Sequence, residues 1–200
     1  NTKLLHGNKM GDANTGATLT PVYQSSAFYQ PSAEQHEKLF HNKATGFSYT
    51  RINNPTIFAF EERMTTLEGG IASVACASGM AAITNALLNI VTCGQEIVAS
   101  TSLYGGSIDV FHDFEAFGIK TVFVDISDVN AVEAAINENT RVIFAETIGN
   151  PKLDVVDIEA LAELAHQHDL PLVMDNTVAT AYLVKPIEKG ADIVVNSTSK

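Results

Sequence analysis

Short apolar runs alternate with segments of helical period over most of the chain. The runs at 71–77, 96–100, 120–125, 141–146, 170–175 and 192–196 have the length and β-branched content of buried strands. Between most of them, residues 79–91, 107–117, 128–137 and 157–168 repeat apolar positions at three- and four-residue spacing, which predicts helices. Strand and helix in alternation imply an α/β domain with a mostly parallel sheet covered on both faces. Upstream, Asn54 can cap a helix with Pro55 at its first position, Ile57, Phe60, Met64 and Leu67 recur on one face, and Gly69-Gly70 ends it. Residues 1–50 are rich in Thr, Ser, Gln, Asn and Gly and show little periodicity beyond one helical turn around 32–40. The expected organisation is an irregular N-terminal arm over 1–53 and a large domain over 54–200. That domain stops at Lys200 without a closing helix, so an incomplete chain is expected.

Composition narrows the partners more than the fold. Two hundred residues with 46% hydrophobic content suffice for one sizeable core. A formal net charge of −11 argues against a general nucleic-acid or anionic-membrane binder. It leaves room for a small anionic ligand, which a few placed donors can hold. No apolar run approaches the length of a membrane span, and no signal peptide is visible, although the chain opens at Asn1 without an initiator Met. Cys76 and Cys93 lie in apolar surroundings without metal or redox spacing, so buried free thiols in a reducing cytoplasm are expected. His166 and His168, two apart in a predicted helix, point in different directions, and the sequon Asn196-Ser197-Thr198 lacks a secretory context.

Candidate chemistry gathers at one edge of the predicted sheet. Asp175 ends the run 170–175 and Lys200 follows the run 192–196, so both belong to the C-terminal edge, where open α/β sheets bind ligands. The intervening 176–190 is long enough for a crossover. An acid and a lysine facing one pocket suit pyridoxal phosphate (PLP), whose aldehyde a lysine holds and whose ring nitrogen an acid keeps protonated. Taken alone, Asp175 reads equally as a turn residue and Lys200 as a surface charge. Ser78-Gly79-Met80 opens a helix whose free amides and positive dipole end can take a phosphate, and a plain N-cap by Ser78 accounts for it equally well. Arg51, with the Tyr49 hydroxyl beside it, can grip a phosphate or be an ordinary surface residue. Tyr104 puts an aromatic ring at the same edge, for packing or for a ligand. Neither the GxxxxGK[ST] nor the GxGxxG fingerprint is present, which removes the main support for ATP and NAD.

As a set, Tyr49-Thr50-Arg51, Ser78-Gly79-Met80-Ala81-Ala82, Tyr104-Gly105-Gly106, Glu146-Thr147-Ile148-Gly149-Asn150-Pro151, Asp175-Asn176-Thr177 and Ser197-Thr198-Ser199-Lys200 closely resemble the Cys/Met-metabolism family of PLP enzymes. The resemblance runs the length of the chain and implies the aspartate-aminotransferase-like fold (PLP fold type I), with a smaller C-terminal domain that lies outside this sequence. It implies Lys200 as the Schiff-base lysine, Asp175 as the ring-nitrogen partner and Tyr104 as the ring stacked on the cofactor. Ser78, Gly79, Met80, Ser197 and Ser199 would hold the phosphate, Asn150 and Thr177 would line the ring, and Glu146 would support them. Tyr49 and Arg51 would reach the PLP of a neighbouring subunit, implying a dimer and, by family habit, a tetramer.

Ser199 stands where the family usually has Thr, and the substrate-carboxylate arginine belongs to the C-terminal part. Within the family, the segments around Tyr104 and Asn150 are more similar to the O-acetylhomoserine sulfhydrylase branch, and Gly106 stands where methionine γ-lyases often place Cys. The expected reaction is γ-replacement on O-acetylhomoserine by sulfide or a thiol, giving homocysteine or methionine. Methionine γ-lyase, cystathionine γ-lyase or γ-synthase activity, and a PLP-binding fragment without turnover, are the alternatives.

Overall fold

The structure, a computed structural model, describes residues 2–7, 12 and 15–200. The chain divides into two compact units, Asn1–Ala75 and Cys76–Lys200. The first contains helices α1 (Thr2–His6), α2 (Ala33–Phe40) and α3 (Pro55–Glu68). Ser32 caps α2, its hydroxyl accepting the Gln35 amide at 3.2 Å. Asn54, buried, does the same for α3 through Thr56 at 2.8 Å, while its amide nitrogen donates to Tyr23 O and Thr50 Oγ1 at 3.0 Å each. One side chain thus starts the helix and ties the preceding loop to it. Gly69 ends α3 with φ of 77°, a left-handed conformation that glycine adopts without penalty. The five residues of α1 are too few to display a period in sequence.

The second unit holds α4 (Gly79–Leu88), β1 (Glu96–Ser100), α5 (Gly105–Glu115), β2 (Lys120–Val124), α6 (Val129–Ala135), β3 (Thr140–Glu146), α7 (Ile158–Gln167), β4 (Leu172–Asp175), α8 (Thr180–Leu183) and β5 (Ile193–Val195). All strand pairs are parallel and the sheet order is β2-β1-β3-β4-β5. Alternation along β3 builds two cores. Val142 and Phe144 join Ile83, Leu87 and Phe111 from α4 and α5, while Ile143 and Ala145 join Val132, Leu161 and Ala165 from α6 and α7. Helices therefore cover both faces, as the alternating pattern predicts. The chain leaves β1 for β2 on one side and then returns across it to β3, so its direction of winding reverses between β1 and β3. A crevice outside the C-terminal ends of those two strands is where such sheets place ligands.

Two expectations differ from the structure. Residues 71–77 form no strand: Ile71 and Val74 are exposed, and among the described residues the segment has no β-partner, being tied instead to α3 by Ser73 with Thr65 and by the Ala75 amide on Glu61 Oε1. Apolar content alone cannot make a ladder without a neighbour. The cysteines are not buried; Cys76 is half-buried beside Asn85, and Cys93 is exposed. Cys93 lies in the turn between α4 and β1, whose tip faces solvent although the residues before it belong to the core. The expected crossover over 176–190 is present, made of α8 and a single 3-10 turn, Pro186–Lys189, each too short to leave a periodic trace.

Candidate active site

The C-terminal edges of β3, β4 and β5 finish level with one another. Glu146 pairs with Asp175 across β3 and β4, and Asp175 pairs with Val195 across β4 and β5. Just beyond, the Thr147 amide donates to Asp175 O and the Asn176 amide to Val195 O, both at 2.9 Å. The Asp175 side chain accepts the Thr177 amide at 2.8 Å, which folds the chain back over the strand end, and Thr177 Oγ1 accepts the Ser197 amide at 2.8 Å. Ser197 is seated against the start of α4. A β-carbon at Gly79 would lie 2.7 Å from Ser197 Cβ, so only glycine permits this approach. Ser78 Oγ accepts the Ala81 amide at 3.1 Å, as an N-cap should. The amides of Gly79 and Met80 are left without intrahelical partners at the positive end of the helix dipole. A helix N-terminus closed on one side by a serine loop has the donors and the close backbone approach that a phosphate requires. Ser199 and Lys200 follow, both exposed, just past β5.

Tyr104 and Glu146 meet at the reversal point of the sheet. The Tyr104 amide donates to Glu146 Oε1 at 2.7 Å, and Tyr104 O accepts from Ser107 and Ile108 at 2.9 and 3.2 Å, so its backbone is held from both sides. Its ring is 49% exposed. Glu146 is buried, and burial pushes its carboxyl up to about 7; the Tyr104 amide opposes the rise, and the charges of Asp175 and Asp154 add to it. Burial also raises Asp175, against the hydrogen bonds from Thr177. Among the described residues neither acid forms an ion pair. Two adjoining acids disfavoured as anions suit a partner that brings a proton or a positive charge, as a pyridine nitrogen does. The fit between these residues and PLP is therefore good at both ends of the cofactor: donors for its phosphate and an acid for its ring.

Asn150 is exposed in the loop after β3. That loop is anchored by Asp154, which accepts the Ser102 hydroxyl at 2.5 Å and whose carbonyl accepts the Gly149 amide at 2.9 Å. Ser102 and Asp154 escaped sequence reasoning because 52 residues separate them and neither belongs to a motif. Tyr49 and Arg51 lie together on the first unit, both exposed, with the guanidinium 5.3 Å from the ring centre, a cation–π pair.

The family of Cys/Met metabolism PLP-dependent enzymes matches residues 1–200. An O-acetyl-L-homoserine sulfhydrylase from Leptospira meyeri is 47% identical over 98% of this chain and 45% of its own length. An L-methionine gamma-lyase from Fusobacterium nucleatum subsp. polymorphum is 43% identical over 92% of this chain and 47% of its own. A crystal structure from Campylobacter jejuni, assigned provisionally as an O-acetylhomoserine (thiol)-lyase and carrying N′-pyridoxyl-lysine-5′-monophosphate, superposes with a TM-score of 0.93 at 35% identity, over 100% of this chain and 49% of that one. The chain spans about half the length of the curated relatives it matches. Its fold is that of PLP fold type I. By the match of the whole sequence and of the whole fold, the chain belongs to the Cys/Met metabolism PLP-dependent enzyme family.

Proposed function

We propose that this chain forms the cofactor-binding part of an O-acetylhomoserine sulfhydrylase. The reaction breaks the Cγ–O bond of O-acetylhomoserine, releases acetate and forms a Cγ–S bond to sulfide or a thiol, giving homocysteine or methionine. The observation that carries the reading is the connected edge Asp175–Thr177–Ser197–Gly79, which joins a buried acid to a phosphate cradle. When bound, PLP supplies an electron sink for charge developing at the substrate carbon. Ser78, Gly79, Met80, Ser197 and Ser199 hold its phosphate. Asp175 keeps a proton on the ring nitrogen, and Tyr104, Asn150 and Thr177 bound the ring, with Glu146 fixing the Tyr104 backbone. Lys200 would hold the cofactor aldehyde, and its free Nζ would take the proton from the substrate Cα and then assist removal of one from Cβ. The Tyr104 hydroxyl would move a proton as acetate leaves.

Tyr49 and Arg51 act on the phosphate of a neighbouring subunit, which makes the working unit a dimer and suggests a tetramer of two dimers. Free thiols and this chemistry fit the cytoplasm. A second reading, γ-elimination, is supported by the methionine gamma-lyase relative at 43% identity. The PLP-loaded enzyme should therefore be given O-acetylhomoserine with and without sulfide and, separately, methionine. Sulfide-dependent homocysteine is the expected result. 2-Oxobutanoate from methionine without added thiol would move the assignment to the γ-lyase, and neither product would reduce it to a PLP-binding protein.

A further inference from the structure

The Tyr104 ring occupies the space that a side chain at position 106 would need. A β-carbon on Gly106 would lie 2.6 Å from Tyr104 Cε1 and 3.3 Å from Cδ1 and Cζ. Gly106 is the second residue of α5 and its φ is not positive, so backbone conformation does not call for glycine there. Apart from its own chain neighbours, nothing lies within 4 Å of a β-carbon at Gly105. At position 106 the obstacle is the Tyr104 ring alone, since no other heavy atom is among the three nearest. Tyr104 can yield only in one way. Its amide is held by Glu146 and its carbonyl by Ser107 and Ile108, so the Cα is a fixed pivot, whereas the ring is half exposed and turns about its own side-chain torsions. The atoms that would collide belong to the far end of that side chain, so a substituent at 106 displaces the ring and leaves the helix in place.

We infer that Gly106 is a positioning residue for Tyr104, its bare backbone setting the angle at which the ring rests. The inference rests on the reading of Tyr104 as the ring that faces the cofactor. A methyl group at 106 forces the ring to another torsion, and with it the hydroxyl that serves the leaving group. Misplacement of a reacting group by about an ångström lowers turnover on the order of 100-fold.

The test compares Gly106→Ala with Gly105→Ala, each in the PLP-loaded enzyme and in a Tyr104→Ala background. Melting temperature, the induced circular dichroism of bound PLP, the PLP dissociation constant, kcat and KM are measured. Gly106→Ala is expected to keep or raise the melting temperature, since alanine suits a helix better than glycine. It should alter the cofactor dichroism and lower kcat at least tenfold with little change in KM. Gly105→Ala should leave all of these at the parent values. In the Tyr104→Ala background Gly106→Ala should add nothing, and if Gly106→Ala alone fails to fold, the double variant should fold. Parent dichroism and kcat in Gly106→Ala, or an effect that persists without the ring, would overturn the inference. Unchanged dichroism in Tyr104→Ala would remove the cofactor-facing role of the ring and this inference with it. Failure of the PLP reading itself shows separately, as a parent protein that takes up no PLP.

Discussion

Phe144 and Phe58 are aromatic residues on regular elements, yet their surroundings differ sharply. Phe144, on β3, has no exposed surface and meets the Phe111 ring edge-on at 5.1 Å. Phe58, on α3, is 46% exposed and meets Phe47 at 6.2 Å. The contrast extends to the two units. Among the described residues, every buried hydrophobic side chain lies in the second unit, and the buried side chains of the first are polar, Asn54 and Glu68. Tyr29, Ile71 and Val74 there are almost wholly exposed. The second unit is held by apolar burial on two sheet faces, whereas the first is held by capping and loop hydrogen bonds. An apolar surface that extensive calls for a cover, and it is the surface on which the proposed self-association through Tyr49 and Arg51 would draw. The proposed cofactor edge is built on the better-buried unit, where strand ends can fix side chains closely.

Truncation of an aromatic side chain should separate the two units most. Phe144→Ala should cost about 3–5 kcal/mol of unfolding free energy in urea and Phe58→Ala about 1 kcal/mol; equal losses would give the first unit a core of its own. Titration is the next lever. Glu146 keeps its proton to about pH 7 when folded but releases it near 4.5 when unfolded, so its contribution is complete below pH 4.5 and is lost as pH rises to 7. The loss amounts to roughly 3 kcal/mol, and Glu146→Gln should flatten that slope in a pH series of melting curves. Capping gives a smaller difference. Asn54→Ala, which also strands Tyr23 O, should cost about 2 kcal/mol, against about 1 kcal/mol for Ser78→Ala. The smallest effect has the opposite sign of pH dependence. Glu34, at the start of α2, is lowered by its own amide and then by Ser32. Its contribution is present above its unfolded pKa and lost as pH falls, so Glu34→Gln should soften the acid limb slightly.

The parallel sheet was legible because its strands and helices are long enough to show a period. In β3, Val142 and Phe144 face one core and Ile143 and Ala145 the other, and α7 repeats its apolar face for three turns. Residues 71–77 have the same apolar content but, among the described residues, no β-partner, so composition misled where pairing decides. The site divides in the same way. Asp175, Gly79 and Ser197 stand at strand and helix ends, which sequence marks. The Ser102–Asp154 bond and the Gly106 recess depend on how distant loops and a ring pack, and nothing in local spacing encodes either. Cys93 was misplaced because a turn tip next to an apolar helix end reads as core until the chain's direction is known.

Lys200, just past the strand that ends at Val195, is the proposed attachment point of PLP. Borohydride reduction of the PLP-loaded enzyme, followed by peptide mapping, tests it directly. A single pyridoxyl group is expected, on Lys200, and none in Lys200→Ala. A pyridoxyl group on any other lysine, or PLP retained and reducible in Lys200→Ala, would contradict it.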